Sequence, residues 1–471
     1  MAIILSFLAF LLLFTGVGVY SASRKSNTTT DYLLASRGVN PWLTGLSAFA
    51  TAHSGGMFIS VTGWTYQVGI SSMWLLVGWF VGDYIAWFMV HKRLRILSQE
   101  NQAETISSFL APDRKAGRSI AIVSAGLIIV FLGAYAAAQL LAGSKALHVV
   151  FGWDYSWGIL LGAVIVFAYC FSGGIRASIW TDAIQAIVMV VAMVLLLVVA
   201  LKSCGGFGSL WQQLKAIDPT LTTVIPDNLQ YGFALFLLSW LVAGFGVIGQ
   251  PHIMVRAMVL DDAKNMGKTR NIYALLYLLF STATILVGLT ARVLLPDLLN
   301  AGDPELALPK LAIALLPAIL VGVVLAGIFS AVISTADSQI LACSAALTQD
   351  VFPRMARSYR LVKAGTLIVT VLIVVIALTN ARSMFALQIF AWSALASSLG
   401  PILIVRVWRL PLKPQVGVSM MIGGIATAAI WSNVLQLSGS IYEVLPGMGA
   451  GFLIYGIAQF LNPLVSKSVD N

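Results

Sequence analysis

The sequence predicts an all-α integral membrane protein with about thirteen spanning helices, at ~20 residues per crossing. Three observations predict it. Hydrophobic residues make up 59% of the 471, and the mean hydropathy is +0.92. The apolar runs are long and continuous, whereas barrel strands are short and alternate. The basic residues gather in every second connecting loop.

In chain order the spans fall near 3–22, 42–70, 72–91, 118–146, 155–174, 182–201, 231–251, 271–294, 311–347, 362–380, 384–405, 415–436 and 444–462. Nothing basic precedes the first, and Arg24 and Lys25 follow it. A cleavable signal has the opposite polarity, so this helix is read as retained, with its N-terminus outside. On that topology Arg24, Lys25, Arg37, the cluster from Lys92 to Arg118, Arg176, Arg256 to Arg270, Arg354 to Lys363, Arg406 to Lys413 and Lys467 face the cytoplasm. That is about 22 of the 28 Lys and Arg residues. Lys145, Lys202, Lys215, Arg292, Lys310 and Arg382 stay outside. The asymmetry is the positive-inside rule. It places the C-terminus in the cytoplasm of a multi-pass plasma (inner) membrane protein, and the net charge of +10 then needs no nucleic-acid partner. Cys170, Cys204 and Cys343 fit neither a disulfide framework nor a zinc spacing.

Two spans are interrupted. The second carries Ser54-Gly55-Gly56, and the seventh carries Gly244, Gly246 and Gly249 followed by Gln250-Pro251. Freed backbone groups survive at membrane depth only where they line a protein cavity. Breaks in matching places of two halves point to the binding site of a secondary transporter. One transmembrane domain, 1–471, is therefore expected, with a five-plus-five inverted repeat. Its first half covers about 42–201 and its second about 231–405, leaving one extra helix before the repeat and two after it.

A carboxylate at this depth costs about 2.5–3.5 kcal/mol on insertion scales. Asp83, Asp182 and Asp337 each need a reason. Ser334, Asp337, Ser338 and Leu341 share a helix face, with Thr335 beside them. Hydroxyls and a carboxylate are hard oxygen ligands suited to a small hard cation, although Ser and Thr also serve as packing glue between membrane helices. His53, before the first break, reads as a proton carrier or as a neutral imidazole hydrogen-bonded in the bundle. Asp182 reads as the N-cap of the sixth span or as part of an ion path. His91 reads as interfacial, beside Lys92 and Arg93. No GxxxxGK[ST] loop is present, so ATP is not a direct partner. No Ser/His/Asp or HExxH set suggests an enzyme.

Several stretches resemble the sodium/solute symporter family, most of all the bacterial sodium/proline symporters. They are Asp31 to Leu34 with Ser36-Arg37, Ser47 to Gly55, Gly173 to Arg176 with Trp180-Thr181-Asp182 and Gln185, Phe245 with Gly249 to His252 and Arg256, Ala331 to Thr335 with Gln339 to Leu341, and Ala391-Trp392 with Gly400-Pro401. The resemblance implies the leucine-transporter fold and alternating access. It implies a sodium ion held by the carbonyls of Ala50, His53 and Ala331 and the hydroxyls of Ser334 and Thr335. A second ion or a proton is implied near Asp182, Asp337 and Ser338, with Asp83 as a further candidate. The solute is expected against Ser54, Gly55, Met57 and Phe58, walled by Trp240, Phe245, Gln388, Phe390 and Trp392. The chain departs from the proline pattern at Ala52, where those symporters carry an acid, and at Ala243 and Val247, where they carry aromatic residues. Asp83 stands as a candidate for the missing charge. The function implied is sodium-coupled symport of a small organic solute, an amino acid such as proline first. The alternatives are a proton-coupled carrier of an organic acid or amino acid, and a transporter-like solute sensor.

Overall fold

Lipid offers no hydrogen bonds, so an apolar chain must satisfy its backbone within each helix. The computed structural model describes residues 1–23, 26–113, 115–226, 229–299, 303–379 and 384–461. Arg24, Lys25, Arg114, Arg382 and Lys467 of the charge count lie outside the described residues. Among the described residues the chain is helical, and the one β contact is an isolated bridge between Val39 and Leu260.

Among the described residues eleven helices are long and apolar enough to cross a membrane. Two of them exceed one crossing. Tyr155–Ser203 runs for 49 residues, about 74 Å at 1.5 Å per residue against a hydrocarbon core of about 30 Å. It bends at Gly174, which has φ 58° and ψ −143°. A side chain there would strain the backbone, and its Cβ would lie 2.3 Å from the Tyr32 carbonyl oxygen. The fifth and sixth spans are thus two limbs of one kinked rod. Gly55–Glu100, 46 residues, similarly joins the second half of the second span to the third, through a 3₁₀ turn at Gly69–Ser72.

The span expected at 311–347 is divided. Ala307–Leu315 is a separate short helix, and Ala318–Ala345 is the ninth span. Pro317 causes the division: Leu316 before it is extended, at φ −106° and ψ 146°, as a residue preceding proline prefers.

Burial ranks the helices. The most apolar windows of the ninth and eleventh spans are 78% and 83% buried, while those of the first and the last two are 22%, 28% and 22% buried. The hydroxyl-bearing ninth span is thus central, and the first and last helices are peripheral.

The loop after the first span ties helix ends together. Arg37 donates to the carbonyl oxygens of Met258, Ser98 and Ala103 and to the Ser98 hydroxyl. It joins the ends of the third and seventh spans through a loop in which Ala35, Ser36 and Arg37 all have left-handed φ, between 48° and 55°. Burial lowers the Arg37 guanidinium to about 10, which leaves it charged at neutral pH.

Candidate functional site

The second span breaks where the glycines predict. Pro41–Ala52 ends at His53, with φ −93° and ψ 78°, and Gly55–Val68 starts afresh with Ser54 as its N-cap. The end of the first segment gives up its intrahelical acceptor pairing, and its carbonyls turn to the ninth span. Ser334 Oγ donates to the Ala50 carbonyl at 2.9 Å, and Thr335 Oγ1 donates to the Thr51 carbonyl at 3.1 Å. Ser334 Oγ also lies 3.4 Å from the Ala331 carbonyl. A knot of backbone and hydroxyl oxygens, all fully buried, therefore sits where the broken helix meets the ninth span. His53 Nδ1 lies 3.0 Å from the Phe49 carbonyl oxygen. Its ring is boxed by Phe49, Tyr277 and Phe280 at centroid distances of 4.3, 4.5 and 5.3 Å.

One turn further along the ninth span is a charged cluster. Asp182 lies well inside the Tyr155–Ser203 rod, so the N-cap reading fails: the helix bends at Gly174 and Asp182 follows two turns later. Its Oδ2 accepts from Ser47 Oγ at 2.7 Å, Thr51 Oγ1 at 3.3 Å and Arg256 Nη2 at 2.9 Å. Arg256 was expected in a cytoplasmic loop. It lies instead on Pro251–Val259, the second half of the broken seventh span, with no exposed surface. The same Nη2 donates to Ser178 Oγ at 3.0 Å and Ser338 Oγ at 2.5 Å. Ser338 Oγ is 2.7 Å from Asp337 Oδ1. A fixed guanidinium thus occupies the middle of the region where a second ion was expected. His91 is likewise buried rather than interfacial, stacked on Trp87 at 4.2 Å.

Beyond the break on the opposite side lies a cavity of about 20 Å³. Ala52, Gly56 and Met57 line it from the broken helix, Trp79 and Asp83 from the third span, Val247 from the seventh, Tyr273 and Tyr277 from the eighth, and Gln388 and Trp392 from the eleventh. Gln388 Nε2 donates to Ser54 Oγ at 3.0 Å, and the Gly55 amide donates to Gln139 Oε1 at 2.8 Å. A Cβ at Gly56 would fall 1.9 Å from Gln388 Oε1, so glycine lets the eleventh span approach this close. Trp392 Nε1 donates to the Ala243 carbonyl at 3.0 Å, and its ring lies 4.7 Å from Trp79.

The family profile of the sodium:solute symporters matches residues 32–424, most of the chain. The chain belongs to that family. A high-affinity proline transporter of Bacillus subtilis is 29% identical over 96% of this chain and 97% of its own length. A sodium/proline symporter of Staphylococcus aureus is 29% identical over 96% of this chain and 90% of its own. Among solved structures, a Na⁺-coupled sialic acid symporter in a substrate-bound outward-open state superposes with a TM-score of 0.82 at 19% identity, over 98% of both chains. A nucleobase-cation-symport-1 family transporter in a closed conformation gives a TM-score of 0.59 at 16% identity, over 94% and 97%. The fold is therefore that of sodium-coupled symporters, and sodium is the family's coupling ion.

In this symporter the residues singled out in the sequence separate into groups. Ala50, Ala331, Ser334 and Thr335 meet at the helix break. Asp182, Asp337 and Ser338 meet around Arg256. Met57, Gln388, Trp392 and Asp83 line the cavity, and Ser54 and Gly55 join its rim through Gln388 and Gln139. The expected contact residue Phe58 and the expected wall residues Trp240, Phe245 and Phe390 are not among the residues that line the cavity, although Trp240 stacks on Trp79, which does. Phe58 packs on Phe280, Trp240 stacks on Tyr442, Phe390 meets Phe131, and Phe245 packs in the main core. Tyr135, Tyr273, Tyr277 and Trp79, which the sequence reading missed, line the cavity instead. Tyr273 and Tyr277 carried a usable signal, since their i, i+4 spacing puts both on one face of the eighth span.

Proposed function

We propose that this symporter drives a small amino acid, proline the first candidate, into the cell with sodium. The observation that carries the reading is the meeting of Ser334 and Thr335 with the freed carbonyls of the broken second span. Each hydroxyl has one donor and two acceptor sites. Rotating its proton away would turn the Ser334 and Thr335 oxygens, with the carbonyls of Ala50, His53 and Ala331, into a shell for sodium. The solute carboxylate would sit near the fresh N-terminus at Ser54 and Gly55, where the helix dipole favours negative charge.

The finer architecture belongs to the same proposal. It comprises thirteen crossings, counting the two long rods as two each, a five-plus-five inverted repeat over about 42–405, the N-terminus outside and the C-terminus in the cytoplasm. One inward sodium contributes about 2.3 kcal/mol per 100 mV, and about 1.4 kcal/mol per tenfold gradient. Together these concentrate a solute by roughly two to three orders of magnitude. Coupling requires ion and solute to bind the outward- and inward-open states unequally.

The test is uptake of labelled amino acids, sugars and carboxylates into proteoliposomes, with external sodium exchanged for potassium. Concentrative uptake that needs sodium is expected. Uptake that follows a proton gradient without sodium would overturn the coupling ion, and ligand binding without flux would overturn transport.

A further inference from the structure

Asp83 is 2% exposed. One oxygen, Oδ2, accepts the Tyr273 hydroxyl. The other, Oδ1, has no hydrogen-bond partner among the described residues, although Asp83 lines the cavity beside the break. Among the described residues no Lys, Arg or His lines that cavity. The buried guanidinium of Arg256 is committed to Asp182 and the serines around it, that of Arg95 to the Leu260 and Asp261 carbonyls, and His53 Nδ1 is turned to Phe49. The carboxylate therefore lacks a cation from the protein itself. A buried carboxylate normally has a charged partner or several donors. Aromatic rings of Trp79, Tyr135, Tyr273, Tyr277 and Trp392 make up much of the rest of the lining, a surround that favours a cation over an anion.

The position is held firmly. At Gly82 a Cβ would lie 1.8 Å from the Leu241 carbonyl oxygen, and at Gly244 another would lie 1.9 Å from that of Trp79. The third and seventh spans therefore meet backbone to backbone just beside Asp83, and Tyr273 fixes the carboxyl from the eighth span.

We propose that Asp83 is a specificity-determining residue: its open oxygen receives the protonated amine of the solute. The inference rests on the symport reading and narrows it to solutes bearing an ammonium group with at least one N–H. A charge-assisted N–H···O bond to Oδ1 completes the carboxylate, and the aromatic rings surround the rest of the cation. Asp83 then serves the solute and not the coupling ion, whose ligands lie at the other side of the break.

The probes are L-proline, L-alanine, N-acetyl-L-proline, L-lactate and D-glucose, read as sodium-driven initial uptake into proteoliposomes and as binding to detergent-solubilised full-length protein. The expected result is that the two amines are bound and carried, and that a hundredfold excess of N-acetyl-L-proline, whose nitrogen carries no charge, leaves L-proline uptake unchanged. Asp83→Asn should raise KM for the amine at least tenfold, Asp83→Glu should recover part of that loss, and Tyr273→Phe should change KM less than Asp83→Asn does. The analogue arm uses the unaltered protein, so the inference stays testable even if a variant misfolds. Sodium-driven uptake of L-lactate or D-glucose with no amine carried would end the assignment of Asp83 and leave symport standing. So would an unchanged KM in Asp83→Asn. Amine binding that Asp83→Asn abolishes, without sodium-driven flux of any probe, would support Asp83 and end the symport reading instead.

Discussion

Asp182 and Asp83 are both carboxylates shut away from solvent, 0% and 2% exposed, and the protein treats them in opposite ways. Asp182 receives two hydroxyls and a guanidinium on Oδ2, while its Oδ1 has no hydrogen-bond partner among the described residues. Asp83 receives one phenol and keeps an oxygen open toward a cavity. Removing two charges from water is compensated only by good geometry and further hydrogen bonds. The first site supplies a cation from its own side chains and binds the sixth and seventh spans together, with Ser47 of the second joining through its hydroxyl. The second leaves the cation to a ligand. The difference separates a carboxylate that the protein pairs with its own guanidinium from one that it does not.

The largest expected effect breaks the first site. Arg256→Met leaves Asp182 buried without its cation and should destabilise by about 3–5 kcal/mol, read as a lowered melting temperature or loss of monodisperse protein. The double variant Arg256→Met with Asp182→Asn should recover a good part of that loss, because no unpaired charge remains. A double variant as unstable as the single would show that the guanidinium acts through packing alone. Next comes the glycine contact that aims Asp83. Gly82→Ala should destabilise by about 1–3 kcal/mol through overpacking, whereas Gly267→Ala, where nothing lies within 4 Å of the added Cβ, should leave melting unchanged. Asp83→Asn sharpens the comparison from the other side. It removes a charge without orphaning a cation, so the melting temperature should hold or rise while Asp182→Asn lowers it. The smallest effect belongs to the Arg409–Glu100 pair, whose side chains are 68% and 50% exposed. Glu100→Ala should move stability by less than about 1 kcal/mol.

The sequence disclosed the helix breaks because Ser54-Gly55-Gly56 and Gln250-Pro251 are local signals, carried by backbone freedom and a missing amide. It also singled out Ser334 and Thr335, whose hydroxyls lie beside Asp337 on one helix, and the family resemblance set them against the carbonyls of the break. The Asp182–Arg256 pair was not legible. Its members stand 74 residues apart, and counting charges by loop assigned Arg256 to the cytoplasm because the half-helix from Pro251 is short. Asp182 could read as a cap because the sixth span was placed from 182, while the helix in fact runs through and only bends at Gly174. The cavity was half legible. Met57, Gln388 and Trp392 could be carried over from the family pattern. Tyr273 could not, because its bond to Asp83 spans 190 residues and depends on how the eighth span is rotated against the third. The departures at Ala243 and Val247 also become intelligible. Trp392 reaches the Ala243 carbonyl from the eleventh span, so an aromatic ring reaches the seventh span from across the cavity.

The most direct measurement is the sodium concentration for half-maximal L-proline uptake in proteoliposomes, compared between the unaltered symporter and the Ser334→Ala, Thr335→Ala double variant. The variant is expected to need at least tenfold more sodium while its order of preference among amino acids stays the same. An unchanged sodium requirement in folded, active protein would contradict the assigned sodium site.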